Sequence, residues 1–279
     1  MASIERLKHM VRLPDHEINL AEAALILASQ AYPGLAIEPY LQRLDELADG
    51  VRERLPEGPT TADRVFTLNR VLFEEQGFDG AEDDYYDPRH SFLNEVLDRR
   101  RGIPITLSIL YIEVGRRIGL ALEGVSFPGH FLVKLPVQGG DIVLDPFSGG
   151  VSLSESELEQ RLEWVAGQGA ARPDAPLGAL LRSARNREIL TRMLRNLKGI
   201  YYQSGELDKA LEAANWILLI APEEPAEVRD RGLILEQLEC AGAACEDFET
   251  YLRLAPHAED ADRIRERLVD LVGAARRLH

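Results

Sequence analysis

The segment RRRGIPITLSILYIEVGRRIGL, Arg99–Leu120, leads into EGVSFPGHFLVKL, Glu123–Leu135, and then into DIVLDPFSGG, Asp141–Gly150. In the first stretch Leu107, Leu110, Tyr111 and Val114 recur at helical spacing. Pro104 suits a helix start, because its fixed φ fits the first turn and its missing N–H has no intrahelical partner there. Gly119 ends the pattern. Beyond it the period changes. Val125, Phe127, Phe131, Val133 and Leu135 alternate as in a strand, interrupted at Pro128-Gly129. Gly139-Gly140 reads as a hairpin turn, and Ile142, Val143 and Leu144 as a second strand that stops at Asp145-Pro146. Helix, strand, turn, strand predicts an α+β domain with antiparallel pairing.

Upstream the chain reads as helices. The expected spans are Glu17–Ala28, then about Glu38–Leu55, then a helix capped by Thr61 that ends near Gly77. Glu82 to Pro88 is an acidic loop, and Ser91 is the expected cap of a helix carrying Phe92, Leu93, Val96 and Leu97. Downstream, Ser154 is the expected cap of a helix over Glu155–Val165. Everything after Ser183 has helical character. Ala221-Pro222 recurs as Ala255-Pro256, 34 residues later, which is the period of the tetratricopeptide repeat. In that register the first unit has Leu197, Tyr201, Gly205 and Ala210 at packing positions, and the second has Gly232, Leu235, Ala244 and Phe248; the two helix pairs are Leu190–Pro222 and Pro225–Pro256. Glu259–Leu278 follows as a capping helix. The domain division expected is 1–166, a linker over 167–182 rich in Gly, Ala and Pro, and a helical tail over 183–279.

Composition limits the function. The chain has 279 residues, 45% hydrophobic and 28% charged, enough apolar material for a substantial core. A formal charge of −15 argues against nucleic acid or an anionic membrane as partner. No apolar run is long enough to cross a membrane, and the N-terminal stretch lacks the apolar core of a signal peptide. Two cysteines, Cys240 and Cys245, make no disulfide framework, and a cytoplasmic location is expected. The six histidines form no paired metal motif and no glycine-rich phosphate loop is present, so neither metal nor cofactor is expected.

The motifs from Arg99 to Gly150, with YYDPRHSFLNEVL upstream of them, resemble the transglutaminase-like superfamily. In particular they resemble the bacterial family named for the SirB invasion regulator, which commonly joins this domain to a tetratricopeptide tail. The resemblance implies a papain-like domain. It also implies a papain-like site: a cysteine at a helix N-terminus, a histidine on the next strand to take its proton, and an aspartate on the following strand to orient the histidine. His130 and Asp145 fall in that order. The cysteine does not: the matching position is about Pro104, and neither Cys240 nor Cys245 is near it.

Thr106 and Ser108 are the nearest hydroxyls, each with a structural reading as well. A hydroxyl needs a well-placed base to attack, and a helix-interior serine ordinarily bonds back to a carbonyl. Asp145 before a proline can serve a turn alone. His90 and Asn94 lie beside the motif and are expected at the surface. Arg99–Arg101 reads as a solvated helix end. Two functions compete. The first is a non-catalytic interaction or regulatory protein that keeps the His130–Asp145 cleft and binds a protein or peptide through its repeats. The second is a hydrolase or acyltransferase on a peptide or amide bond, with Thr106 or Ser108 attacking and His130 and Asp145 assisting.

Overall fold

The computed structural model describes residues 2–168 and 174–277. The chain divides into two compact units, Met1–Leu190 and Thr191–His279.

In the first unit the helices ahead of the sheet are α1 (Ala2–Met10), α2 (Leu20–Ala31), α3 (Ile37–Arg52), α4 (Thr61–Asn69), α5 (Leu93–Arg99) and α6 (Pro104–Arg117). Helix α2 starts at Asn19, whose side chain accepts the N–H of Glu22 at 3.0 Å, and its apolar run from Ala23 to Ala28 is buried. The cap of α4 is Thr60 rather than Thr61: Thr60 and Asp63 form a reciprocal capping box. Helix α4 continues as a π-helical segment over Arg70–Glu75. Ser91 is not the cap of α5. It lies in a 3₁₀ turn, Pro88–Ser91, and Phe92 takes the cap position. Two-residue strands β1 (Asp79–Gly80) and β2 (Arg101–Gly102) pair in parallel and set the entry to α6; they are too short to leave a period in the sequence.

Helix α6 is the axis of the unit. Every residue from Pro104 to Gly115 is buried, as suits a helix that is apolar nearly all round. It packs against α2, α3, α4 and α5, and against the sheet. Its one buried carboxylate, Glu113, is paired with Arg116 at 3.0 Å and Arg117 at 2.8 Å.

The sheet is an antiparallel meander of β3 (Glu123–Val125), β4 (Leu132–Val137), β5 (Gly140–Asp145) and β6 (Val151–Leu153). Val125 faces Leu132, Val133 faces Leu144, and Asp145 faces Val151. Gly139 takes a φ of +100° in the β4–β5 hairpin, a value that favours glycine. Helix α7 (Glu155–Gly167) closes over the sheet, its start fixed by a capping box between Ser154 and Glu157. Leu158 and Leu162 of α7 join Val125, Phe127, Leu132 and Val143 in one apolar cluster. Burying a side chain such as fully covered Phe127 contributes roughly 2–3 kcal/mol. Of the stretch read as a linker, residues 169–173 lie outside the described residues. Leu177–Leu180 forms a short helix, α8, and Leu177, Leu180 and Leu181 pack on that cluster.

The second unit is helical. Helix α9 (Asn186–Gln203) begins just before it, and α10 (Leu207–Ile220), α11 (Pro225–Gln237), α12 (Ala241–Leu254) and α13 (Ala261–Arg277) follow. The repeat register read from the sequence holds. Ala210 and Ala244 are fully buried, Leu197 and Tyr201 are buried, and Gly205 has a φ of +78° in the turn between helices. At Gly232 a Cβ would lie 2.7 Å from the Phe248 ring, so only glycine admits the close approach of α11 and α12. Cys240 precedes α12 and is exposed; Cys245 is half-buried.

Candidate functional site: a histidine–aspartate pair

Asp145 ends β5 and is fully buried. A buried carboxylate must be compensated, and four groups do so. His130 Nε2 lies 2.9 Å from Oδ1, which also accepts the Phe147 N–H at 3.1 Å. The Ser148 hydroxyl donates to Oδ2 at 2.9 Å, and the Arg161 guanidinium donates to it at 2.7 Å. Burial alone would raise the Asp145 carboxyl. The His130 contact, the Arg161 charge and the Ser148 bond outweigh it and bring it to about 2. The carboxylate is therefore ionised at neutral pH and holds the Nε2 side of the ring, leaving Nδ1 for another partner. The Phe147 ring meets the His130 ring edge-on, with centroids 5.8 Å apart.

His130 was expected on a strand. It sits in a turn before β4, its N–H donating to the Phe127 carbonyl at 3.1 Å. The Pro128-Gly129 pair cannot continue a ladder: proline lacks a donor and Gly129 takes a φ of +69°. The turn after Asp145 is anchored as well. Asn69 donates to the Gly150 carbonyl at 2.9 Å and accepts from Tyr111 of α6 at 2.7 Å.

At the start of α6, Pro104 occupies the first helical position. The Thr106 hydroxyl donates to the carbonyls of His90 at 2.7 Å and Ile103 at 3.1 Å, and accepts the Ile103 N–H at 3.1 Å. It is a helix-start tie and does not bond to His130. Ser108 Oγ is fully buried and has no hydrogen-bond partner among the described residues. The fold thus brings His130 and Asp145 together and joins neither hydroxyl to them. His90 and Asn94, expected at the surface, are buried, because the 3₁₀ turn and α5 pack under α6. The His90 Nδ1 lies 3.3 Å from the Arg101 carbonyl.

Sequence reasoning missed Arg161 and Ser148. A signal existed for the first: Arg161 is the sole basic residue of α7 and adjoins its buried Leu158–Leu162 stripe. Among the described residues one group brings three metal-ligand atoms within 4.8 Å of one another: Asp84, Asp87 and His90. Asp87 is already engaged by Arg89 at 2.7 Å, a contact that lowers its carboxyl.

The buried helix, the antiparallel meander and the His–Asp pair define a transglutaminase-like domain, here followed by a tetratricopeptide-like tail. Residues 38–195 match the family profile described as transglutaminase-like superfamily, and residues 197–269 match that of the tetratricopeptide repeat. A UPF0162 protein of Xylella fastidiosa (strain Temecula1) is 40% identical, covering 94% of this chain and 93% of its own. One from Vibrio cholerae is 31% identical, covering 92% and 94%. Protein SirB1 of Salmonella typhimurium is 28% identical, covering 93% and 96%. The chain belongs to this UPF0162/SirB1 family. Among the described residues no helix is long and apolar enough to cross a membrane.

Proposed function

We propose that this is a non-catalytic interaction or regulatory protein: a transglutaminase-like cleft kept for binding, with a repeat tail that engages a protein or peptide. The observation that carries the reading is the fate of the hydroxyls. Asp145 orients the His130 ring, while the Thr106 proton is directed to backbone carbonyls and Ser108 Oγ finds no partner among the described residues. A general base with no side-chain nucleophile bonded to it lacks the partner that covalent acyl transfer needs. Residues 1–166 supply the cleft in this reading, 183–279 supply the partner surface, and the protein works in the cytoplasm. The alternative hydrolase or acyltransferase would require Thr106 or Ser108 to turn toward His130.

The test has two arms. The native protein, Thr106→Val and Ser108→Ala are incubated with amide and peptide acyl donors, and no product should form with any of them. A partner captured by the native chain should be lost with Tyr201→Ala, which opens the buried tail contact. Turnover by the native protein that disappears with Ser108→Ala would refute the reading.

A further inference from the structure

We infer that the exposed face of α7, centred on Trp164, receives a lysine or arginine side chain of a partner polypeptide lying across the His130–Asp145 pair. This deepens the binding role proposed for the cleft and rests on it.

Helix α7 packs beside the His130–Asp145 pair. Arg161 reaches from it to Asp145 Oδ2 at 2.7 Å. A Cβ on Gly129, the residue before His130, would lie 2.6 Å from Val165 Cγ2, so the turn that carries the histidine rests directly on α7. Trp164 stands one turn beyond Arg161 on the same side of the helix and next to Val165. It is 66% exposed, although an indole is the side chain that gains most from being covered. The His130 side chain, 17% exposed, also reaches the surface.

Charge selects the occupant. Helix α7 carries Glu155, Glu157, Glu159 and Glu163 against Arg161 alone, and the Arg161 charge is spent on Asp145. Exposed Gln160 stands one turn before Trp164 on the same side of the helix, and exposed Glu163 adjoins it in the chain. The face offers an aromatic ring, a carboxylate and an amide, with no unpaired cation on the helix, in a chain of net charge −15. An ammonium or guanidinium over the indole is favoured by the ring quadrupole and by the acidic character of the helix, while its aliphatic stem covers the ring. An acidic partner would meet repulsion on the same face.

The chain has two tryptophans, so Trp216→Phe in the full-length protein leaves Trp164 as the only indole reporter. The probe is a capped decapeptide with lysine at alternate positions. Its controls carry Nε-acetyllysine or glutamate at the same positions. The lysine peptide should give a saturable change in Trp164 emission that weakens with salt, and both controls should bind at least about tenfold more weakly. Anisotropy of labelled lysine peptide should show a loss of at least about tenfold for Trp164→Ala with an unchanged melting curve, and no loss for Tyr201→Ala in the tail. The inference is overturned by equal binding of the controls, by native-like binding of Trp164→Ala, or by no saturable signal. Mass spectrometry of the recovered peptide separates the two ideas: cleavage would refute the non-catalytic reading and leave the recognition surface standing.

Discussion

Asp145→Asn is the sharpest perturbation of the site, because an amide is close to a neutral isostere of a protonated carboxyl. The folded protein holds the Asp145 carboxyl at about 2 against an ordinary 3.8, a gap of about 1.8. At about 1.4 kcal/mol per pH unit the ionised form contributes roughly 2 kcal/mol to folding at neutral pH. The group has a depressed folded value, so this stability is present above its unfolded value, near pH 4. It is lost as pH falls through about 2. The same linkage leaves roughly half of it at pH 3. The substitution should therefore cost at least about 2 kcal/mol at pH 7, since the new NH₂ must also face one of four donors. The cost should shrink by about 1 kcal/mol at pH 3.

Urea unfolding followed by Trp164 emission in a Trp216→Phe background reports on the unit that holds the site. A difference below about 0.5 kcal/mol at pH 7, the usual scale of a neutral surface change, would show that the carboxylate is not held as described. A difference that stays constant from pH 7 to 3 would refute the electrostatic cause.

Three further outcomes are expected. Ser108→Ala should leave the melting temperature unchanged or raise it, because it removes a buried hydroxyl with no partner among the described residues; differential scanning calorimetry checks this. Gly232→Ala should destabilise the second unit by roughly 1–3 kcal/mol, because the added methyl meets the Phe248 ring; the test is thermal unfolding followed by Trp216 emission in a Trp164→Phe background. Iodoacetamide should label exposed Cys240 well before Cys245, whose thiol is raised by burial and by Glu249 and Glu236, and the Cys240→Ser, Cys245→Ser double variant should keep partner binding; mass spectrometry and the binding assay read the two.

The periodic signals carried the fold. The apolar spacing from Leu107 to Val114 and the proline at its head place α6 almost to the residue, since a helix buried on all sides leaves a dense, regular pattern. The 34-residue recurrence of Ala-Pro gave the repeat register, because each helix pair must present small residues at the same contact to stack on the next. The order His130 then Asp145 was also legible from the linear motif.

Only the tertiary structure decided which groups complete that site. Arg161 lies 16 residues from Asp145 and on another element, and nothing in the spacing says that its side chain turns back to the carboxylate. The need for it arises from burial: a carboxylate taken out of water demands compensation, and the nearest available cation is a matter of packing. The same holds for Thr106. As a residue type it was a candidate nucleophile, and its role was fixed by the His90 carbonyl, which the 3₁₀ turn brings to within 2.7 Å. The sequence sets which chemical groups exist and, through their period, which elements form. Which group spends its hydrogen bonds on which partner depends on distances across elements that no local pattern encodes.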